Sequence, residues 1–341
     1  MKQTAKERLF AAAKSQPFDR PPCICPGGMM NMMFQEIMEQ SGCPWPAAHV
    51  EPEKMAGLAK ALYQAGGFEN YGLPYCMTVE AEALGAKVNM GDLLCEPHVV
   101  ESPLADCGEW QSLPQLSLES GRIPCVLQAL RLLSAGNEEV PLIGNLTGPV
   151  SLAGTLVDMD KLLKAMRKMP ETAHAFLDFV AEQLIRYGNA MLEAGADAIC
   201  ISEPSGTGEL LGPRYFRDYT IPYLNRVMDA LSAPVKIIHI CGRMQNVYEL
   251  LEQLHCDIFS FDAVVPIKEI RPYLKGKAAM GNISTLTLNE TTAERVQAQA
   301  RHALRSGVDV LAPACGLPTT TPLSIVQAMV SAAREEEACQ S

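Results

Sequence analysis

His239, Cys241 and Cys315 are of the residue types that hold a borderline-soft metal ion, and two of them are spaced to act together. His239-Ile240-Cys241-Gly242 closes an apolar run over 235–240 (VKIIHI) that reads as a strand. In an extended chain, residues i and i+2 point to one face, about 7 Å apart. An imidazole and a thiol so placed can both reach one ion, at roughly 2.0 and 2.3 Å. Cys315, in Ala312-Pro313-Ala314-Cys315-Gly316, follows a later apolar run. One His and two thiolates form a known catalytic zinc set with a fourth position left for water or substrate. Burial as inert residues would explain the same cysteines, and no short-motif rule covers His-x-Cys alone. Glu203 and Asp262 also end apolar runs, where a carboxylate can act as fourth ligand, as partner for the His239 ring or as proton acceptor. The plainer reading of each alone is a helix cap or an ion-pair partner. Asn145 and Asn282 follow Gly144 and Gly281 at two more such ends, where a turn is the alternative. Met29, Met30, Met32 and Met33 surround Asn31. Flexible thioethers suit an adaptable apolar surface for a large ligand, and irregular core filler equally well.

Positioning these side chains requires a frame that brings distant strand ends together. Short apolar runs at 141–146 (PLIGNL), 196–202 (ADAICIS), 235–240, 257–261 (DIFSF), 278–282 and 308–312 each lead into a turn and a helical pattern. The long amphipathic stretch over 160–193 is broken at Pro170, and further helical patterns cover 213–231 and 246–254. Such alternation predicts parallel βαβ units, and the runs show little polar alternation, as expected of strands covered on both faces. The expected fold is a single (β/α)₈ TIM barrel spanning residues 1–341, with an N-terminal helical and antiparallel elaboration. Barrel enzymes carry their reactive groups at the carboxyl ends of the strands, where all these polar positions fall. The first 140 residues are less regular: 4–13 reads as a helix, 22–26 as the first barrel strand, and 86–120 as an insertion or small antiparallel element.

Composition narrows the class. The 341 residues carry 28 Lys plus Arg against 39 Asp plus Glu, a net charge of −11, which argues against a nucleic-acid partner. The longest uncharged run, 140–157, contains two prolines, three glycines and Asn145, so no membrane span is expected. The N-terminal 20 residues lack the apolar core of an export signal. Twelve cysteines then point to a reducing, anaerobic cytoplasm rather than to disulfides. No GxxxxGK[ST], no GxGxxG after a strand and no GxSxG is present.

Several segments together resemble the uroporphyrinogen decarboxylase superfamily, and within it the methylcobamide:coenzyme M methyltransferases. They are Thr4-Ala5-Lys6-Glu7-Arg8 with Asp19-Arg20-Pro21; 74–85 (PYCMTVEAEALG); 144–149 (GNLTGP); 193–197 (EAGAD); 239–242; Gly281-Asn282-Ile283; and 312–322. The resemblance implies a zinc ion held by His239, Cys241 and Cys315; beside it, the strand-end positions make Glu203 and Asp262 the candidate catalytic carboxylates and Met29, Asn145 and Asn282 the candidate corrinoid contacts. It implies transfer of a methyl group from a methylcobamide (methylcobalamin), presented by a separate corrinoid carrier protein, to a small thiol acceptor such as coenzyme M. Two departures stand out. The arginine-rich motif with which porphyrinogen decarboxylases grip substrate carboxylates is replaced by Gly27-Gly28-Met29-Met30, and an acid common after the Asp262 position is Ala263 here. The remaining alternatives are tetrahydrofolate as acceptor, a zinc-dependent lyase on the same barrel, and a non-enzymatic corrinoid or metal store.

Overall fold

A computed structural model describes residues 2–336; Cys339 and its neighbours over 337–341 lie outside the described residues. Nine strands form, β1 (Tyr71–Leu73), β2 (Lys87–Asn89), β3 (His98–Glu101), β4 (Leu142–Thr147), β5 (Ala198–Ser202), β6 (Val235–Ile240), β7 (Ile258–Phe261), β8 (Ala278–Ile283) and β9 (Val310–Pro313). Seven make one curled parallel sheet in the order β1-β4-β5-β6-β7-β8-β9, and β2 with β3 forms a separate antiparallel pair. Helices cross over between successive sheet strands, so every residue of β4, β5 and β7 is buried.

The helices follow from apolar spacing and from proline. Along Pro170–Glu193, Phe176, Val180, Leu184, Tyr187 and Met191 recur at three- and four-residue intervals and are buried against the sheet. Pro170 starts this helix at its first position because it has no amide hydrogen to donate, which also ends the preceding helix, Met159–Lys168. At the N-terminus, Thr4 and Glu7 form a reciprocal capping box for Ala5–Ala13.

The expectation of eight regular strands is corrected at one place. Segment 22–26 lies against both edges of the sheet, yet it forms only an isolated bridge, Cys23 with Leu311. The Ile24 amide donates to Leu311 O (3.0 Å), the Leu311 amide to Pro22 O (2.9 Å) and the Glu69 amide to Cys23 O (2.9 Å). Pro21, Pro22 and Pro26 cannot donate, so the ladder does not extend. The three-residue β1 has no counterpart among the apolar runs expected to form strands. Among the described residues, no helix is long and apolar enough to cross a membrane.

Candidate metal centre

His239 lies on β6 and Cys241 follows it directly, while Cys315 lies just past β9, three strands further along the sheet. In a flat sheet, three spacings of about 4.8 Å would separate them by roughly 14 Å. The curl of this sheet instead places Cys241 Sγ 3.2 Å from Cys315 Sγ and 3.1 Å from His239 Nε2. Among the described residues this trio is the one group of His, Cys, Asp and Glu side chains whose ligand atoms converge, all within 4.8 Å of one another. His239 is fully buried and its Nδ1 meets Ser260 Oγ at 2.9 Å, which leaves Nε2 to face the two sulfurs. Two thiols this close share a proton. The hydrogen bond from Cys241 pulls the Cys315 thiol down to about 5, helped by the neighbouring His239 ring and opposed by burial, whereas the same pairing and burial push Cys241 well up. One imidazole and two sulfurs, one already disposed to ionise, fit a zinc ion in both donor type and number.

The structure also locates the other residues singled out in the sequence. Glu203 is fully buried and turned toward the amino end of the helix Pro149–Val157. It accepts from the Val150 amide (2.9 Å), the Ser151 amide (3.0 Å), the Ser151 hydroxyl and the Gly206 amide (2.9 Å). Burial raises its pKa, and these donors act against that rise. Asp262 accepts from the Gly242 amide (3.1 Å) and the Val264 amide (3.1 Å). Neither carboxylate belongs to the converging trio. Asn282 donates to the carbonyls of Asp262 (3.1 Å) and Val265 (3.0 Å), pinning the loop after β7. Asn145 donates to Pro26 O (2.7 Å) and Leu73 O (3.1 Å), joining three strand ends, and its buried Oδ1 has no protein partner among the described residues. Met30, Met32 and Met33 are fully buried core residues, so of the methionine cluster only Met29 reaches the surface, half-buried.

Three neighbours of the centre are not among the residues singled out from the sequence. Ser260 is visible there only as a lone polar residue inside the apolar run DIFSF. Glu209 accepts from the Arg243 amide at 3.0 Å, and no local motif announces it. Glu96 belongs to the loop between β2 and β3, which Thr319 ties to the site by donating to Leu94 O (3.3 Å). Burial, and next the nearby Cys315, push the Glu96 carboxyl up to about 7. Only the long-range packing of that hairpin reveals it.

The chain belongs to the uroporphyrinogen decarboxylase family: the family model described as Uroporphyrinogen decarboxylase (URO-D) matches residues 4–336. Within that family it is similar to the methylcobamide:CoM methyltransferase MtaA of Methanosarcina barkeri, 36% identical over 342 residues that cover 98% of each chain. The methylcobamide:CoM methyltransferase MtbA of Methanosarcina mazei is 34% identical, covering 97% of this chain and 98% of the relative. A solved methyltransferase structure from Methanosarcina mazei matches with a TM-score of 0.92 at 34% identity, over 98% of this chain and 99% of that one.

Proposed function

We propose that this protein is a methyltransferase that moves a methyl group from a methylcobamide to a small thiol of the coenzyme M type. The observation that carries the reading is the convergence of His239 Nε2, Cys241 Sγ and Cys315 Sγ at the carboxyl ends of β6 and β9 in a chain with full-length methylcobamide:CoM methyltransferase relatives. His239, Cys241 and Cys315 would hold zinc, and the ion would supply the positive charge that favours the acceptor thiolate. Ser260 fixes the His239 ring so that Nε2 faces the two sulfurs. The sulfur–carbon bond forms as the cobalt–carbon bond breaks; the electron pair of that bond stays on the corrinoid, and the thiol proton leaves to solvent.

Asp262 and Asn282 hold the loop beside Cys241, and Asn145 holds the strand ends beside Met29, which together line the approach of the corrinoid. Glu203 serves catalysis by fixing the loop after β5 to the helix Pro149–Val157. We further read 22–26 as the closing member of an eight-stranded barrel, since its backbone bonds reach both sheet edges. The corrinoid arrives on a carrier protein, a reading supported by exposed Leu94, Leu210, Val264 and Leu286, which stand on loops or first helical turns that follow the strands. The cysteines of the described residues are free thiols, in keeping with a reducing cytoplasm. Tetrahydrofolate as acceptor is less favoured, because a folate nitrogen has little need of two thiolates.

The test is spectroscopic loss of methylcobalamin on adding coenzyme M, homocysteine or tetrahydrofolate, together with metal analysis. One zinc per chain and demethylation with coenzyme M are expected, and Cys241→Ser should lose both. A Cys241→Ser variant with full thiol methylation would remove the metal from the reaction.

A further inference from the structure

We propose that Glu209 is a positioning residue for Cys241, an inference that rests on the proposed zinc site. Of the three ligands, His239 is fixed within a strand, whereas Cys241 stands on the turn that leaves it. That turn is gripped from two sides. On one side the Gly242 amide donates to Asp262 Oδ2, and Asp262 is itself held by the Val264 amide and, through its carbonyl, by Asn282. On the other side the next amide, of Arg243, donates to Glu209 Oε2 at 3.0 Å. The sequence leaves room for this contact: a Cβ on Gly242 would lie 3.0 Å from Glu209 Oε2, and the φ of +76° at Gly242 is one that glycine adopts without strain.

Glu209 is in turn held in place by its own element. It stands in the first turn of the helix Gly208–Tyr215, capped by Thr207, whose hydroxyl accepts from the Leu210 amide at 3.1 Å. Asn246, beyond the Cys241 turn, donates to Gly208 O at 2.8 Å, and a Cβ on Gly208 would lie 2.6 Å from Asn246 Oδ1. The segments after β5, β6 and β7 and the end of β8 are therefore linked in a row, with the Cys241 turn among them. Glu209 acts through its oxygen as a hydrogen-bond acceptor, so an amide oxygen should replace it while a methyl group should not.

The proposal is tested on purified apoprotein by competing for Zn²⁺ with a chelator and by recording thiolate-to-metal absorption after loading with Co²⁺. Wild-type protein that binds no Zn²⁺ and gives no thiolate band would overturn the zinc site itself, a result distinct from any effect of the variants. Given a competent wild type, Glu209→Ala should bind Zn²⁺ about tenfold more weakly, the low end of the range found when direct partners of metal ligands are removed, because Glu209 holds the Arg243 amide and not a ligand itself. Its thiolate–Co²⁺ band should weaken, while Glu209→Gln stays within about threefold of wild type. An unchanged Glu209→Ala overturns the proposal, and so does a Glu209→Gln as weak as Glu209→Ala. If Glu209→Ala fails to fold, Asn246→Ala, which unlocks the same helix, is measured instead; a loss of about three- to tenfold supports the proposal and an unchanged affinity overturns it.

Discussion

His49 shows how far a single side chain can depart from what its type suggests. It is fully buried between Trp45, with ring centroids 4.6 Å apart, and Tyr75, at 6.1 Å. Burial, and secondarily the charge of Arg122, hold its pKa down to about 3, from an ordinary 6.5. The folded protein thus keeps the ring neutral while the unfolded chain takes up a proton between about pH 6.5 and 3. Stability from this group is complete above pH 6.5 and is lost as pH falls through that window. At 1.36 kcal/mol per pH unit, the loss by pH 4.5 is roughly 3 kcal/mol. Urea denaturation of the wild type and of His49→Phe at pH 7.5 and 4.5 should therefore show a smaller acid loss in the variant, by about that amount. Parallel pH dependence in the two proteins would mean that His49 titrates normally. Nothing in Pro44-Trp45-Pro46-Ala47-Ala48-His49 betrays this environment. By contrast, the pairing of His239 with Cys241 was legible because His-x-Cys along an extended chain fixes a shared face, and Cys315 was legible only as the end of another strand run.

Elements were readable to the extent that their own residues specify them. The apolar runs that became β4 to β9 carry enough buried side chains to declare themselves, and Pro170 marks a helix start by its missing amide hydrogen. β1 and segment 22–26 are different: three residues hold no period, and prolines interrupt the ladder, so their place is set by what they pack against. The contact between them is correspondingly tight. A Cβ on Gly72 would lie 1.8 Å from Pro26 O, and that oxygen is also held by Asn145 Nδ2 at 2.7 Å, so it cannot simply retreat. Gly72→Ala should cost about 3 kcal/mol, at the upper end of ordinary overpacking, and lower the midpoint of urea unfolding without changing its slope. A variant within about 0.5 kcal/mol of wild type would show that the seam yields freely. Met29 follows this seam, and a Cβ on Gly316, next to Cys315, would lie 2.7 Å from Met29 O, so the least legible part of the fold reaches the converging trio.

At the scale of the whole molecule, a parallel sheet sends every strand's carboxyl end to one side, so the converging His239, Cys241 and Cys315 and the segments after the strands share a single face. Large exposed apolar side chains lie there: Leu286 on the helix after β8, Val264 on the loop after β7, Leu210 on the helix after β5, and Leu94 on the hairpin loop fastened to Thr319. Lone exposed leucines are ordinary, but four apolar side chains around one opening form a surface that gains from being covered. A free corrinoid needs only the centre of this opening, whereas a carrier-bound corrinoid must also seat a protein on the rim. The two donors therefore separate chemistry from docking. Replacing Leu286 by Glu, and separately by Lys, should raise KM for carrier-bound methylcobamide at least tenfold, as expected when an apolar contact at an interface is lost. Turnover of free methylcobalamin should stay within about twofold, because Leu286 is exposed and stands after β8, whereas His239, Cys241 and Cys315 stand at the ends of β6 and β9. Testing both charges matters in a chain of net charge −11. If only Glu impairs transfer, repulsion by an acidic carrier is the cause; if neither does, the carrier seats elsewhere. If both impair it equally, the apolar rim is the docking surface and the opening over His239, Cys241 and Cys315 is where the methyl group is handed across.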